Sequence, residues 1–347
     1  MTYSLIDPLE DARWKAFLLR SENASVFHTR GWLLALRQTY RYGVTALTTN
    51  DITQELNNAF VYCKVNSWIT GRRLVSLPFS DHCDILTEST ISASDIMTQV
   101  HKSISQSTLK YAELRLRQEP FPNYKAVLPS QRYCLHVLSL DSSLDTLYRN
   151  LHKDCIQRKV RRAEREGLEY ETGASDSLLR TFYDLMVRTR RRHGLPPQPL
   201  KWFKTLVSCL GEHMAIRVAK KDGIPVAAIV TLTFKDTMTY KYGCSDDRFS
   251  QLGGTPFLFW QAIQEAKNQG LRRLDLGRSE LDNPGLITFK DRLGATRSDL
   301  KYYRFPCTPA SRTHTALRTT RFLKRLLPYL PDNLLIAAGR VLYRHVG

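Results

Sequence analysis

The chain has 347 residues, long enough for two domains, with 42% hydrophobic and 24% charged side chains, which is ordinary globular usage. Its net charge of +18 is not ordinary and favours nucleic acid, anionic lipid surfaces or phosphate-rich small molecules as partners. No apolar run reaches the roughly 20 residues of a membrane span, no secretory signal is expected at the N-terminus, and seven scattered cysteines without Cys-x-x-Cys or Cys/His ligand spacing argue against zinc and fit free thiols in a reducing cytosol.

Helices are expected around 9–20 and 29–40, then strands near 43–49, 58–66 and 72–79. Pro78 in the last of these suggests an edge or a bulge. A helix near 92–106 leads into a strand from Tyr111, where alternation marks a half-buried element. A strand near 132–140 closes this half.

The second half opens with a helix near 142–151, introduced by Asp141, Ser142 and Ser143, good N-cap chemistry. A basic helix at 156–166 ends at Gly167. A strand (168–172), a helix (176–193) stopped by Gly194, Pro196 and Pro197, and a helix (199–210) follow. Strands at 214–220, 225–234 and 237–243 read as a meander turning at Asp222-Gly223. Then Gly253-Gly254-Thr255-Pro256 opens an apolar helix, with Thr255 as N-cap and Pro256 at the first helical position. A strand around Leu274–Ser279, a helix bearing Lys290 and a strand at Tyr302–Phe305 complete this half.

The halves resemble each other. Each has a helix followed by an alternating strand with an acid at a matching place, Glu113 and Asp275, and each helix follows a strand with a polar end. This pattern implies a duplicated unit and an α+β fold, with domains at 1–140 and 141–308. From 309 to 347 the chain reads as a basic amphipathic helical tail, 317–327 and 334–346, packed on the core or lying on a membrane or partner.

Several residues could carry chemistry. Gly253, Gly254 and Thr255 would let a helix start bind pyrophosphate through free N–H groups, or would simply form a turn. Thr237, Thr239 and Lys241 alternate on one strand face, with Tyr240 and Tyr242 on the other. Lysine can hold a carboxylate or phosphate and tyrosine can protonate a leaving group; a solvated sheet face is the alternative. Asp275, beside Gly277, Arg278 and Ser279, could accept a proton from an amine or form an internal ion pair with Arg272, Arg273 or Arg278. Asp81-His82 could act as a general base or be structural. The clusters Arg158–Arg162 and Arg188–His193, Arg192 included, could track phosphates or be solvated helix ends. No Gly-x-Ser-x-Gly elbow or cysteine motif supports covalent catalysis.

These stretches, with Phe27-His28-Thr29-Arg30-Gly31-Trp32, Leu77–His82, Arg158–Gly167, Thr239–Asp246 and Leu274–Ser279 through Lys290, resemble the FemAB-related branch of the GNAT superfamily, roughly over residues 10–306. The resemblance implies tandem GNAT-like domains, each a mixed, mainly antiparallel sheet flanked by helices. It implies an N-acyltransferase moving an acetyl or aminoacyl group to an amine in peptidoglycan or surface-polysaccharide biogenesis. The donor would be acyl-CoA or aminoacyl-tRNA, with no metal, and the acceptor an amine-bearing glycan or peptidoglycan precursor. In its terms Asp275 or the Asp81-His82 pair receives the amine proton, Tyr242 serves the leaving group, Lys241, Arg278, Ser279, Lys290 and Arg192 hold substrate, and Gly253, Gly254 and Thr255 meet the donor's phosphates. A cytoplasmic protein is expected, with the tail giving peripheral contact at the inner membrane face. The rival expectation is a non-catalytic protein that binds polyanions or membrane surfaces.

Overall fold

Two hairpins, each continued by a helix and then by a strand parallel to the hairpin, organise the chain. The computed structural model describes residues 3–88, 96–102, 109–118, 128–306 and 329–346. The chain divides into a first unit, 1–133 with 299–313 and 341–347, and a second unit, 134–298 with 314–340.

In the first unit β1 (Ser4–Ile6), α1 (Trp14–Arg20) and α2 (Arg30–Tyr40) precede β2 (Gly43–Thr48), β3 (Asn58–Ser67) and β4 (Gly71–Val75). Thr29 caps α2 by accepting from the Trp32 N–H, and Arg41 ends it in the left-handed region. β1 to β4 are antiparallel neighbours, and the short β5 (Leu86–Thr87) pairs with β3. After a helical stretch at 96–102, β6 (Tyr111–Leu116) joins β4 in parallel. Its other neighbour is a late strand, of which Lys301–Pro306 run antiparallel to it. Leu47, Phe60, Leu74, Ile96 and Leu114 form the centre of this unit's core.

Pro78 lies beyond β4, which is an internal strand ending at Val75, so neither an edge nor a bulge accounts for it. Leu77 and Phe79 flank it at φ +49° and +62°, a backbone that only firm surroundings impose on side-chain-bearing residues.

The second unit starts within β7 (Leu128–Ser139). Ser143 caps α3 (Leu144–Asn150), and one π-helical turn at Lys153–Gln157 feeds α4 (Arg158–Arg165). Then come β8 (Glu169–Gly173), α5 (Asp176–Arg192) and α6 (Leu200–Leu210). β9 (Met214–Lys221), β10 (Ile224–Phe234) and β11 (Thr237–Ser245) form the meander, antiparallel throughout. α7 (Gly254–Asn268) crosses to β12 (Arg273–Glu280), which pairs in parallel with β11. Apolar residues on nearly every side of α7, among them Leu258, Ile263 and Ala266, are buried against this sheet and α4. α8 (Pro284–Arg292), β13 (Thr296–Pro306, the late strand above) and α9 (Asp332–Val346) follow.

Both units therefore repeat strand, two helices, three-stranded meander, helix, parallel strand. Their parallel ladders match rung by rung: Arg73, Leu74 and Val75 face Tyr111, Ala112 and Glu113, while Thr237, Met238 and Thr239 face Arg273, Leu274 and Asp275. Glu113 and Asp275 sit on the same third rung. The architecture is the expected tandem α+β one. Against the expected division at 140 and 308, residues 134–140 group with the second unit and 299–313 with the first. The strand expected to complete the second half pairs with β6, a partner too distant in sequence for local pattern to reveal.

Of the expected tail, the helix at 317–327 lies outside the described residues. In the second unit α9 buries Leu335, sets Gly339 against the Pro197 carbonyl and pairs Asp332 with Arg191. In the first unit its last carbonyls accept hydrogen bonds from Tyr42, Thr70 and Arg73. No described helix is long and apolar enough to cross a membrane.

Candidate active site

The start of α7 is fixed by close packing. Gly253 is left-handed (φ +78°), and a Cβ there would stand 2.5 Å from the Lys159 carbonyl oxygen. At Gly254 a Cβ would meet Val226 at 3.0 Å and Ala227 at 3.1 Å. The helix start is thus pressed between α4 and β10 with room for backbone only. Gly253 is the N-cap and Gly254 the first helical residue, two residues earlier than expected, so Thr255 is not the cap. Among the described residues no side chain caps the helix, which leaves N–H groups of its first turn for a ligand; Pro256 has none to offer.

Gly254 and Thr255 line a pocket of about 510 Å³ in the second unit. Five cations surround it: Arg158 and Lys159 from α4, Arg192 from the end of α5, and Lys290 and Arg292 from α8. Two carboxylates answer them, Asp154 and Asp246. Asp246 is already committed. Arg248 (2.7 Å) and Arg188 (2.8 Å) bind it, and these hydrogen bonds, Arg248's first, hold its carboxyl down at about 2. The field in the pocket is therefore positive, on top of the positive end of the α7 dipole.

An aromatic wall completes the pocket. The Phe259 ring lies 4.8 Å from Tyr240 and 5.4 Å from Phe289. Tyr240 arrives there through a β-bulge: Val230 faces Tyr242 but Thr231 faces Tyr240, so Lys241 is the extra residue. The bulge sends the two tyrosines to opposite faces, where strict alternation had put them on one. The Tyr240 hydroxyl lies over the Cα of Gly243, where any side chain would collide with it. Tyr242 turns away, packs on Phe203 and Phe182, and accepts a hydrogen bond from Trp202 Nε1 at 2.9 Å. It is buried and does not line the pocket, nor does the half-buried Lys241, whose Nζ lies 5.8 Å from the Tyr242 ring.

Lys290 does line the pocket. It is buried, and its Nζ donates to the carbonyls of Gly277 (2.9 Å) and Arg278 (3.1 Å) at the end of β12. Asp275 is buried on that strand, and its Oδ1 accepts from the Gly277 N–H at 2.8 Å. Arg272 pairs with Asp141 and Arg273 with Asp236, so those two expected partners are engaged elsewhere. The Ser279 hydroxyl is buried without a hydrogen-bond partner among the described residues. Neither Asp275, Arg278 nor Ser279 lines the pocket.

Asp81 and His82 belong to the first unit. Both are buried, the His82 ring lies edge-on to Phe27 at 5.6 Å, and the Asp81 carbonyl accepts from Tyr302 Oη at 2.7 Å. Of the expected site residues, the structure gathers Gly254, Thr255, Arg192 and Lys290 around one pocket, with Gly253 shaping it; Asp275, Tyr242, Lys241, Arg278, Ser279, Asp81 and His82 stand apart from its lining.

Two lining residues, Tyr240 and His193, were noted in the sequence but not placed in the site. Tyr240 needed the bulge to reach the pocket. His193 looked like the end of an arginine run; partial burial, with Arg192 and Arg190 nearby, lowers its imidazole below the ordinary histidine value. Arg158 and Lys159 had been noted as a phosphate-tracking pair, and they also border a second groove of about 940 Å³ along α4, with Arg161, Arg162 and Arg165.

Residues 152–290 match the acetyltransferase (GNAT) domain family, a span that contains almost the whole pocket lining. Over 148 residues the chain is 26% identical to a UDP-N-acetylmuramoylpentapeptide-lysine N(6)-alanyltransferase from Weissella viridescens. Over residues 152–290 the second unit is thus similar to GNAT domains. The aligned region is 41% of this chain and 43% of that relative, so it spans under half of the relative's length. In fold, the GNAT likeness extends over both units. FemX matches with a TM-score of 0.68 at 13% identity, covering 88% of this chain and 97% of that one. L-PGS from Bacillus licheniformis gives 0.57 at 14%, covering 93% and 98%. A tandem GNAT protein from the clavulanic acid biosynthesis pathway gives 0.56 at 10%, covering 89% and 99%.

Proposed function

We propose that the protein is an N-acyltransferase that moves an aminoacyl group from a phosphate-bearing donor to an amine of a cell-envelope precursor, working on the cytoplasmic side of the membrane. One observation carries the reading: an uncapped helix start, opened by two closely packed glycines, faces a pocket with five cations and two carboxylates, both of them already paired with arginines. Such a site suits a pyrophosphate or a terminal nucleotide. The alanyltransferase likeness supports an aminoacyl group and an amine acceptor. The second basic groove shares Arg158 and Lys159 with the pocket and would continue the contact along a longer polyanion, which favours aminoacyl-tRNA. The likeness to a tandem GNAT protein supports acetyl-CoA as the second reading.

In this reading the donor's phosphates meet the first-turn N–H groups and Arg158, Lys159 and Arg192. The acceptor amine attacks the acyl carbon; a C–N bond forms and the donor's ester or thioester bond breaks. Tyr240 protonates the departing oxygen or sulfur, and His193, kept neutral at pH 7, takes the proton released by the amine. Lys290 supplies positive charge near the oxyanion.

The test is a thermal-shift titration with acetyl-CoA run beside filter binding of bulk aminoacyl-tRNA. Retention of tRNA that depends on its aminoacyl group supports the first donor. A saturable rise in melting temperature with acetyl-CoA, by mass action, supports the second. Retention of tRNA regardless of charging, with no thioester effect, would overturn the enzyme reading in favour of a polyanion binder.

A further inference from the structure

Among the five tryptophans of the sequence, Trp14, Trp32, Trp202 and Trp260 are buried, while Trp68 is 83% exposed. Trp68 stands with Ile69, itself 47% exposed, at the tip of the β3–β4 hairpin of the first unit. The turn does not need them. Its N–H groups at Ile69 and Thr70 donate to Ser67 Oγ, so the fold is held by the serine and the two apolar side chains are left over.

The end of α9 braces this tip. His345 lies edge-on to the Trp68 ring at 5.4 Å, and its Nδ1 is 3.1 Å from Ser67 Oγ. Thr70 Oγ1 and Arg73 Nη2 both donate to the His345 carbonyl. One turn earlier on the helix, Val341 and Leu342 are exposed as well. Four exposed apolar side chains thus lie on the hairpin tip and on the helix end that is hydrogen-bonded to it.

The charge around them has one sign. Lys64, Arg72, Lys110 and Arg344 are exposed, and the Lys110 side chain lies against Gly71. The segments that build this end, 63–73, 109–111 and 341–346, contain no aspartate or glutamate. Exposed apolar side chains that share their segments with exposed cations fit a bilayer carrying anionic lipid. Indole and aliphatic groups settle at the headgroup boundary while the basic side chains meet phosphates. A nucleic acid would use an aromatic platform, but Ile69, Val341 and Leu342 have no π-face to stack a base. Two copies of this surface would repel each other. We propose that this end of the first unit docks on an anionic phospholipid surface, with Trp68 and Ile69 entering the interface. The surface is independent of the pocket in the second unit.

Because Trp68 is the exposed indole, it reports its own insertion. Full-length protein is mixed with vesicles of phosphatidylglycerol and phosphatidylcholine in equal parts, and with vesicles of phosphatidylcholine alone. The expected result is co-sedimentation with the mixed vesicles only, a blue shift of tryptophan emission, and quenching by lipids brominated in the acyl chain. Trp68→Ser with Ile69→Ser should weaken partition at least about tenfold without shifting the melting temperature, since both side chains are exposed. Lys110→Glu with Arg344→Glu should weaken it similarly by an independent route. Equal binding to the two vesicle types, co-sedimentation without change in emission, or unaltered binding of the Trp68/Ile69 variant would each overturn the proposal.

Discussion

Tyr240 and Tyr242 differ in what their hydroxyls serve, although two positions separate them. Tyr240 faces the pocket; Tyr242 satisfies the Trp202 indole inside the packing between β11 and the helices α5 and α6. Removing each hydroxyl should therefore give opposite outcomes. Tyr240→Phe is expected to lower turnover about a hundredfold, with donor affinity nearly unchanged, as loss of a proton donor does. Tyr242→Phe leaves a buried N–H without its acceptor and should cost about 1–3 kcal/mol in urea unfolding, with turnover per folded molecule intact. Steady-state kinetics beside unfolding curves would read both, and a reversal of the two effects would refute the assignment. Sequence patterning could not separate the pair. A bulge is set by the register of β10 against β11, a long-range property, while alternation counts residues along one strand only. Gly243 was the one local hint, because a glycine three residues after a tyrosine leaves space over which its ring can lie.

At the level of elements, α7 carries the strongest claim. Gly253→Ala puts a methyl group on a left-handed backbone and drives it into the Lys159 carbonyl. It should displace the helix start and reduce donor affinity at least about tenfold, beyond the ~1–2 kcal/mol of backbone strain. Gly270→Ala provides the control: it also has positive φ, at +71°, but a Cβ there meets nothing within 4 Å. Equal loss of donor binding in both variants would show that the helix start has no special role. Much of this element was legible beforehand. Composition and capping chemistry placed helix and strand boundaries within a few residues, because caps and breakers such as Ser143, Gly167, Gly194 and the Asp222-Gly223 turn act locally. The exchange of Gly253 for Thr255 as N-cap was not legible, since the choice depends on how close α4 and β10 approach.

For the molecule as a whole, acid should be a weak point. His28 is fully buried between Ser25 and the Asp84 carbonyl, and desolvation pushes its imidazole from 6.5 down to about 4. An unfolded chain binds this proton first, so stability is complete above about pH 6.5, declines as pH falls, and reaches its full loss below about 4. The shift corresponds to roughly 3 kcal/mol. His136, His193 and His345 shift in the same direction. Urea midpoints followed by tryptophan fluorescence should fall between pH 7.5 and pH 4.5, and a His28→Gln variant should show a smaller fall. Unchanged pH dependence in that variant would remove His28 as the cause. On this scale the duplication was readable, through acids at matching strand positions, and the structure sharpens it to matching rungs of two parallel ladders.

The late strand has a consequence in time as well as in space. Ribosomes deliver β6 long before Lys301–Pro306, and the entire meander, α7 and β12 of the second unit are synthesised in between. Throughout that interval β6 has β4 on one side and no strand on the other. The N-terminal half of this protein is therefore begun first and finished last, with an open sheet edge that must wait for nearly the whole chain to be translated.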